Sequence, residues 1–426
     1  MNTVVNPKNS FNSVISVPGD KSISHRAVMF GSIACGDTVI KGFLNGEDCL
    51  STVGCFKDMG INMEMNETEV VVHGKGLKGL TAPKNALNVG NSGTTLRLLS
   101  GILSAQPFTS VLTGDDSIKK RPMDRVAIPL SLMGADIKSL SPDKILAPVT
   151  ITGKPLKGIN YTLPVASAQV KSAIILASLY AKGETVITEP EATRDHTEIM
   201  LSFMGADIKK DGNKIICRPA EEIYGKNITV PGDISSAAYF MIAAAICENA
   251  CVTIKNVGIN PTRTGIVTVL KNMGADITVT NEHTVNGEPI GDITVKSSSL
   301  KATVIEGDII PKLIDEIPVI AVAAALAEGT TVIKDAQELK VKESNRIKTT
   351  ADELSKFGID ITETDDGLII KGKPYLKGAV TESHNDHRIA MACAIAALAA
   401  EGASTVKGSD CVDISFPGFF KLLEDL

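Results

Sequence analysis

The eight cysteines, at positions 35, 49, 55, 217, 247, 251, 393 and 411, include no Cys-x-x-Cys pair and no Cys/His cluster. Neither a zinc site nor a disulfide framework is indicated, and reduced, mostly buried thiols are expected. Basic residues are not in excess: 43 Lys and Arg stand against 49 Asp and Glu, a formal charge of −6. That balance argues against nucleic acid or an anionic membrane as the main partner. Long apolar runs are missing too. The longest, IAMACAIAALAA from Ile389, is about half the length needed to cross a bilayer. The first residues, MNTVVNPKNSF, lack a basic region followed by an apolar stretch, so no secretory signal is expected and the cytoplasm is the expected compartment. Any anionic ligand must then be met by cations gathered locally.

What is present is repetition. A chain of 426 residues has room for two or three domains. One pattern, a small-residue helix, a Gly-containing turn and a β-branched strand, reads SIACGDTVIKG from Ser32, SLYAKGETVITEP from Ser178, AAICENACVTIKN from Ala244, AALAEGTTVIKDA from Ala324 and AALAAEGASTVKG from Ala396. SGILSAQPFTSVLTG from Ser100 is a looser sixth copy. A second pattern, a helix closing on Met/Phe-Gly before a strand, places Gly60, Gly134, Gly205, Gly274 and Gly358 at roughly even intervals. Glycine suits the left-handed position that ends a helix. Each unit is expected to hold two helices and several short strands. The last ends on a helix, FFKLLEDL, and the N-terminal strand around SVISV is expected to complete it.

Val17-Pro18-Gly19-Asp20 returns as Val230-Pro231-Gly232-Asp233, half the chain length later. Six units in two sets of three explain this spacing if the two stretches are the crossings between similar halves. Proline would stiffen each crossing, glycine permit its bend, and aspartate start the next helix.

Charge is concentrated where helices are expected to begin. GDKSISHRA puts Lys21, Ser22 and Arg26 in a first turn, GNSGTTLRLL offers Asn91 or Ser92 as cap and Gly93 for close approach, SAQVKSA brings Ser167, Ala168 and Gln169, and NDHRIAM brings Asp386, His387 and Arg388. Unpaired N–H groups make a helix N-terminus an anion site. Lysine and arginine there oppose the helix dipole, so each cluster alone reads as a capped helix with a solvated cation, whereas four together indicate a shared anionic ligand. Lys119, Lys120, Arg121 and Arg125 lie in a polar loop, GDDSIKKRPMDRV. Lys342, Glu343 and Arg346 are expected on one helix, with Lys342 and Arg346 on the same face, and Asp315 and Glu316 precede an apolar helix.

The ordered set GDKSISHRA, GNSGTTLRLL, RPMDR, SAQVKSA, RDHTE, LIDEIP, KESNRI, NDHRIAM and SFPGF resembles the enolpyruvylshikimate-phosphate synthase family over the whole length. The resemblance implies an α/β fold of two similar domains, residues 1–19 with 232–426 and residues 20–231. Each would consist of three βαβαββ repeats forming an inside-out α/β barrel, with the active site in the cleft between them. It implies transfer of the enolpyruvyl group of phosphoenolpyruvate to the 5-hydroxyl of shikimate 3-phosphate, with closure of the halves expelling water. Asp315 is implied as base, Glu343 as acid, and Lys21 as a further catalytic group. Lys21, Asn91, Gly93, Arg121, Gln169, Arg346 and Arg388 would bind phosphoenolpyruvate. Lys21, Ser22, Arg26, Ser167, Ala168, Gln169, Arg194, Asp315 and Lys342 would bind shikimate 3-phosphate. No metal or other cofactor is implied, and a monomer acting on two small molecules is expected.

Two positions depart from or qualify the pattern. Ile414 stands where many members carry a lysine before Phe-Pro, and Gly93 stands where some glyphosate-tolerant members carry alanine. A same-fold transferase acting on UDP-N-acetylglucosamine is disfavoured because TGDDSIKKRP contains no cysteine. A non-catalytic repeat scaffold is disfavoured because only the first Val-Pro-Gly-Asp leads into a charged sequence.

Overall fold

Each Val-Pro-Gly-Asp stretch starts a helix through its aspartate. Asp20 accepts from the Ile23 N–H at 2.8 Å and opens the helix Lys21–Ser32. Asp233 accepts from the Ser235 N–H at 2.8 Å and opens Ile234–Ile246. Gly19 is required sterically, since a Cβ there would lie 1.9 Å from the Gly42 carbonyl oxygen. The computed structural model describes residues 1–8, 10–141 and 143–426.

Residues 87–152 show one unit plainly. Strand Leu87–Asn88, helix Gly93–Leu103, strand Thr109–Thr113 and helix Asp124–Met133 are followed by strands Asp136–Ser139 and Val149–Thr152. The first two strands are parallel, and Val149–Thr152 lies antiparallel between Thr109–Thr113 and Asp136–Ser139. The same βαβαββ arrangement recurs over residues 160–217 and 304–371.

Two further units exchange their opening strands. Asn227–Thr229 runs parallel to Cys35–Lys41, and Phe11–Ile15 runs parallel to Ala250–Gly258. The strand that leads into each Val-Pro-Gly-Asp stretch therefore belongs to the unit whose helix follows the other one, which accounts for the midpoint repeat. It also corrects one expectation. Phe11–Ile15, which overlaps the SVISV stretch, leads directly into a crossing and serves as an opening strand. The last unit is completed instead by Asn2–Val5, antiparallel to Ser404–Lys407.

The chain divides at Pro18/Gly19 and again at Val230/Pro231. One body comprises Met1–Pro18, Pro231–Thr284 and Pro289–Leu426; the other comprises Gly19–Val230 with Val285–Glu288. We call them the C-terminal and N-terminal bodies, and each has its own core. In the C-terminal body, helices Ile234–Ile246, Ile317–Ala325 and His387–Leu398 pack on one another and are buried on nearly every side. A helix enclosed all round must be apolar all round, which is why these are Ala- and Ile-rich and carry charge only at their starts. In the N-terminal body, Gly93–Leu103 packs on Ala168–Ser178.

The five helix-ending glycines, Gly60, Gly134, Gly205, Gly274 and Gly358, adopt φ between 81° and 109°. All eight cysteines are thiols, six of them buried. Among the described residues, no helix is long and apolar enough to cross a membrane.

Candidate active site

In the C-terminal body the charged residues converge on Asp315 and Arg346. Arg346 is 1% exposed. Its guanidinium donates to Asp386 through Nε at 2.8 Å and Nη2 at 3.1 Å, to Asp315 Oδ1 through Nη1 at 3.3 Å, and to Glu343 Oε2. This fork-on-carboxylate geometry fixes the plane of the guanidinium as well as its position. Lys342 Nζ lies 3.5 Å from Asp315 Oδ1, and Arg388 donates to the Asp315 backbone carbonyl at 3.1 Å with its Nε 4.0 Å from the carboxylate. Three cations thus surround one acid.

Asp386 is the hidden support. Its carboxylate caps the helix His387–Leu398 through the Arg388 N–H and also receives the Ser344 hydroxyl. Burial alone would raise the Asp386 carboxyl, but the Arg346 charge outweighs it and holds the group below the usual carboxylate range. Burial likewise acts to lower Arg346 and Arg388. The neighbouring acids, Asp386 and Glu343 for the one and chiefly Asp315 for the other, hold both above their ordinary value.

Lys342, Glu343 and Arg346 do meet, but not on one helix. Asn345 caps Lys348, so the helix begins only at Arg346, and Lys342 lies in extended backbone after a short turn of helix at Gln337–Val341. An irregular turn folds them together, and Arg346, the first helical residue, reaches back three residues to Glu343 outside the helix. Ile414 packs against the core of this body.

In the N-terminal body, Asn91, Gly93, Arg121 and Gln169 gather at the starts of two adjacent helices. Ser92 caps the first through the Thr95 N–H, and Ser167 caps the second through Val170, with Ala168 as its first residue. Arg121 donates to Asn91 Oδ1, and the Asn91 amide donates to Asp115 at 2.7 Å. Arg97 donates to Gln169 Oε1, and Gln169 donates to the Thr94 hydroxyl at 3.1 Å. A Cβ on Gly93 would sit 3.0 Å from Arg97 Nη1 and 3.3 Å from Arg121 Nη1, so the missing side chain is what lets two guanidinia approach this helix start.

A second group in the same body surrounds Arg26. It is 2% exposed and donates to the Thr197 hydroxyl at 2.7 Å, the Ser172 hydroxyl at 2.9 Å and the Ser22 carbonyl at 2.9 Å. Burial lowers this guanidinium to about 10, with Glu198 opposing. Arg194 donates to the Ser22 hydroxyl at 3.4 Å, and Lys21 lies 3.1 Å from Asp48.

Sequence reasoning missed several partners here. Lys171 is fully buried between Glu189 at 3.0 Å and Glu198 at 2.7 Å, and donates to the Thr193 carbonyl just before Arg194. Arg97 and Lys171 were each visible as a lone cation inside an apolar helix pattern. Glu198 was visible only as the end of RDHTE, and Asp48 and Glu189 gave no signal, because their partners are remote in sequence.

Five four-stranded α/β units of one strand order and a related three-stranded one, in two bodies that each cluster cations and polar groups at helix starts, define a mixed α/β protein with gathered cationic side chains. The family described as EPSP synthase (3-phosphoshikimate 1-carboxyvinyltransferase) matches residues 5–423. The chain is 58% identical over 426 residues to a 3-phosphoshikimate 1-carboxyvinyltransferase of Thermoanaerobacter sp. (strain X514), covering all of both chains. It is 54% identical over 424 residues to a Bacillus cereus protein of that name, covering 100% of this chain and 99% of the other. The solved EPSP synthase of Acinetobacter baumannii superposes with a TM-score of 0.89 at 53% identity, covering 100% of this chain and 98% of that one. The chain belongs to the EPSP synthase family.

Proposed function

We propose that this chain transfers the enolpyruvyl group of phosphoenolpyruvate to the 5-hydroxyl of shikimate 3-phosphate, releasing phosphate. The observation that carries this reading is the meeting of Asp315 and Glu343 with Lys342, Arg346 and Arg388 in the C-terminal body, within a family whose members carry that activity as their name. Two acids fixed on the same guanidinium suit a reaction with two proton transfers.

In the addition step a proton from the Glu343 carboxyl reaches the methylene carbon of phosphoenolpyruvate, leaving C2 cationic. The 5-hydroxyl attacks C2 while its proton passes to Asp315, giving a tetrahedral intermediate. In the elimination step a methyl proton returns to the Glu343 carboxylate, the double bond re-forms, the C2–O bond to phosphate breaks, and the proton on Asp315 passes to the departing phosphate. Arg346 and Arg388, with Arg121, Lys21, Asn91, Gly93 and Gln169, would hold the phosphate and carboxylate of phosphoenolpyruvate. Ser22, Arg26, Ser167, Ala168, Gln169, Arg194, Lys21, Asp315 and Lys342 would hold shikimate 3-phosphate. Asp386 would fix Arg346. The enclosed helices of both bodies support an inside-out arrangement, three units to a barrel, with halves 1–19 plus 232–426 and 20–231.

Phosphate release measured with phosphoenolpyruvate and either shikimate 3-phosphate or UDP-N-acetylglucosamine tests the reading. Release with the first acceptor alone is expected; release with the nucleotide sugar alone would overturn it.

A further inference from the structure

The segment Asn260-Pro261-Thr262-Arg263-Thr264-Gly265 has no part in the reaction proposed above. It forms a tight turn between strand Ala250–Gly258 and helix Gly265–Asn272, where Asn260 Oδ1 accepts from both the Thr262 N–H at 2.9 Å and its hydroxyl at 2.7 Å. The turn carries Arg263 into the interior, where it is 3% exposed. A buried guanidinium needs compensating partners, and the acid that Arg263 reaches is shared.

Arg263 Nη2 donates to the Ser235 hydroxyl at 2.6 Å, and that hydroxyl donates to Glu316 Oε1. The same Nη2 lies 3.6 Å from Glu316 Oε1 and 4.0 Å from Asp233 Oδ1. Ser235 and Asp233 belong to the second Val-Pro-Gly-Asp crossing and its sequel, so that copy is not idle: it supplies the relay. Glu316 is 1% exposed, and its Oε2 has no hydrogen-bond partner among the described residues. On its other side, Arg388 Nη1 lies 3.9 Å from Glu316 Oε1 while donating to the Asp315 carbonyl. Glu316 thus stands between two arginines, and only Arg388 belongs to the proposed substrate-holding set.

We propose that Arg263 is a positioning residue for phosphoenolpyruvate: by compensating Glu316 through Ser235, it keeps Arg388 from being recruited as that acid's sole cation and so keeps it available to the substrate anion. Coulomb attraction at these separations is far stronger in a protein interior than in water, so an uncompensated Glu316 would compete with the ligand for Arg388. The inference rests on the role given to Arg388 above.

The test is a pair of substitutions and their combination, read as separate KM values for the two substrates. Arg263→Met is expected to raise the KM for phosphoenolpyruvate at least about fivefold while that for shikimate 3-phosphate stays within about twofold. Adding Glu316→Gln removes the competing charge, and the double variant is expected to return to within about threefold of wild type. Glu316→Gln alone, which keeps the wild-type arginine, is expected to leave the phosphoenolpyruvate KM within about threefold, and it reads the competition even if Arg263→Met does not fold. Equal rises in both KM values, no rescue in the double variant, or a large loss in Glu316→Gln alone would overturn the role of Arg263 while an active wild-type enzyme left the functional reading standing. A wild-type enzyme that releases no phosphate from this pair would sink both.

Discussion

The C-terminal and N-terminal bodies share a recurring α/β unit, yet they partner their buried arginines differently. In the C-terminal body acids and cations interlock: Asp315, Glu316, Glu343 and Asp386 are each within ion-pair distance of Arg346 or Arg388. In the N-terminal body Arg26 donates to the Thr197 and Ser172 hydroxyls, Arg121 to Asn91 Oδ1 and Arg97 to Gln169 Oε1, while Lys21 pairs with Asp48. Its acids Glu189 and Glu198 stand behind, engaged by Lys171. Hydroxyl and amide oxygens orient a guanidinium such as Arg26 without an opposing charge, whereas shared carboxylates, as around Arg346, orient cation and acids together. The second arrangement also places two acids where proton transfer is proposed.

The sharpest way to break this contrast is to remove the acids. Asp315→Ala and Glu343→Ala are each expected to lower kcat by about a hundredfold or more while far-UV circular dichroism stays unchanged, as general acid–base groups contribute on that scale. Unchanged turnover in either would end its assigned role. Asp386→Ala should act on stability as well, because it leaves Arg346 buried without its bidentate partner and removes a helix cap. A loss of about 3 to 5 kcal/mol in urea unfolding is expected, and a loss below about 1 kcal/mol would show that Asp386 is not the support of this cluster.

The N-terminal body should respond in binding rather than in turnover or folding. Arg121→Ala is expected to raise the KM for phosphoenolpyruvate about tenfold or more with little change in melting temperature. Gly93→Ala pushes a methyl group against Arg97 and Arg121 and should raise the same KM by a smaller factor, about three- to tenfold. A melting transition that collapsed in Arg121→Ala with affinity intact would make the loop structural.

The smallest effect concerns acid stability in the C-terminal body. Burial alone would raise Asp292, but Lys255 Nζ at 2.8 Å, the Asn256 N–H and the Asn281 amide outweigh it and bring the carboxyl to about 2. A depressed folded-state value means stabilisation that is complete above the unfolded value, about 4, and lost as pH falls toward 2. Asp292→Asn should therefore melt a few degrees below wild type at pH 7, with the gap closing between about pH 4 and pH 2. A gap that persisted at pH 2 would show that the carboxylate charge is not its origin.

The contrast between the bodies was only partly legible before folding. The helix starts, their aspartate and serine caps and the left-handed glycines follow from neighbours three or four residues apart, and Asp20, Ser167 and Asp386 all cap as their positions require. Arg263 and Lys171 could be seen but not interpreted. The helical spacing drawn for Lys342 and Arg346 failed because Asn345 offers a local cap that stops the helix between them.

Local chemistry along the chain was enough to show that one α/β unit recurs and where many of its helices start and stop, because periodicity and capping act within a few residues. The partners of Asp315, the strand exchange between residues 11–15 and 227–229, and the sharing of Glu316 by two arginines were settled only when remote segments met. Desolvation and Coulomb forces choose partners by distance in space, and a linear order of residues does not contain that distance.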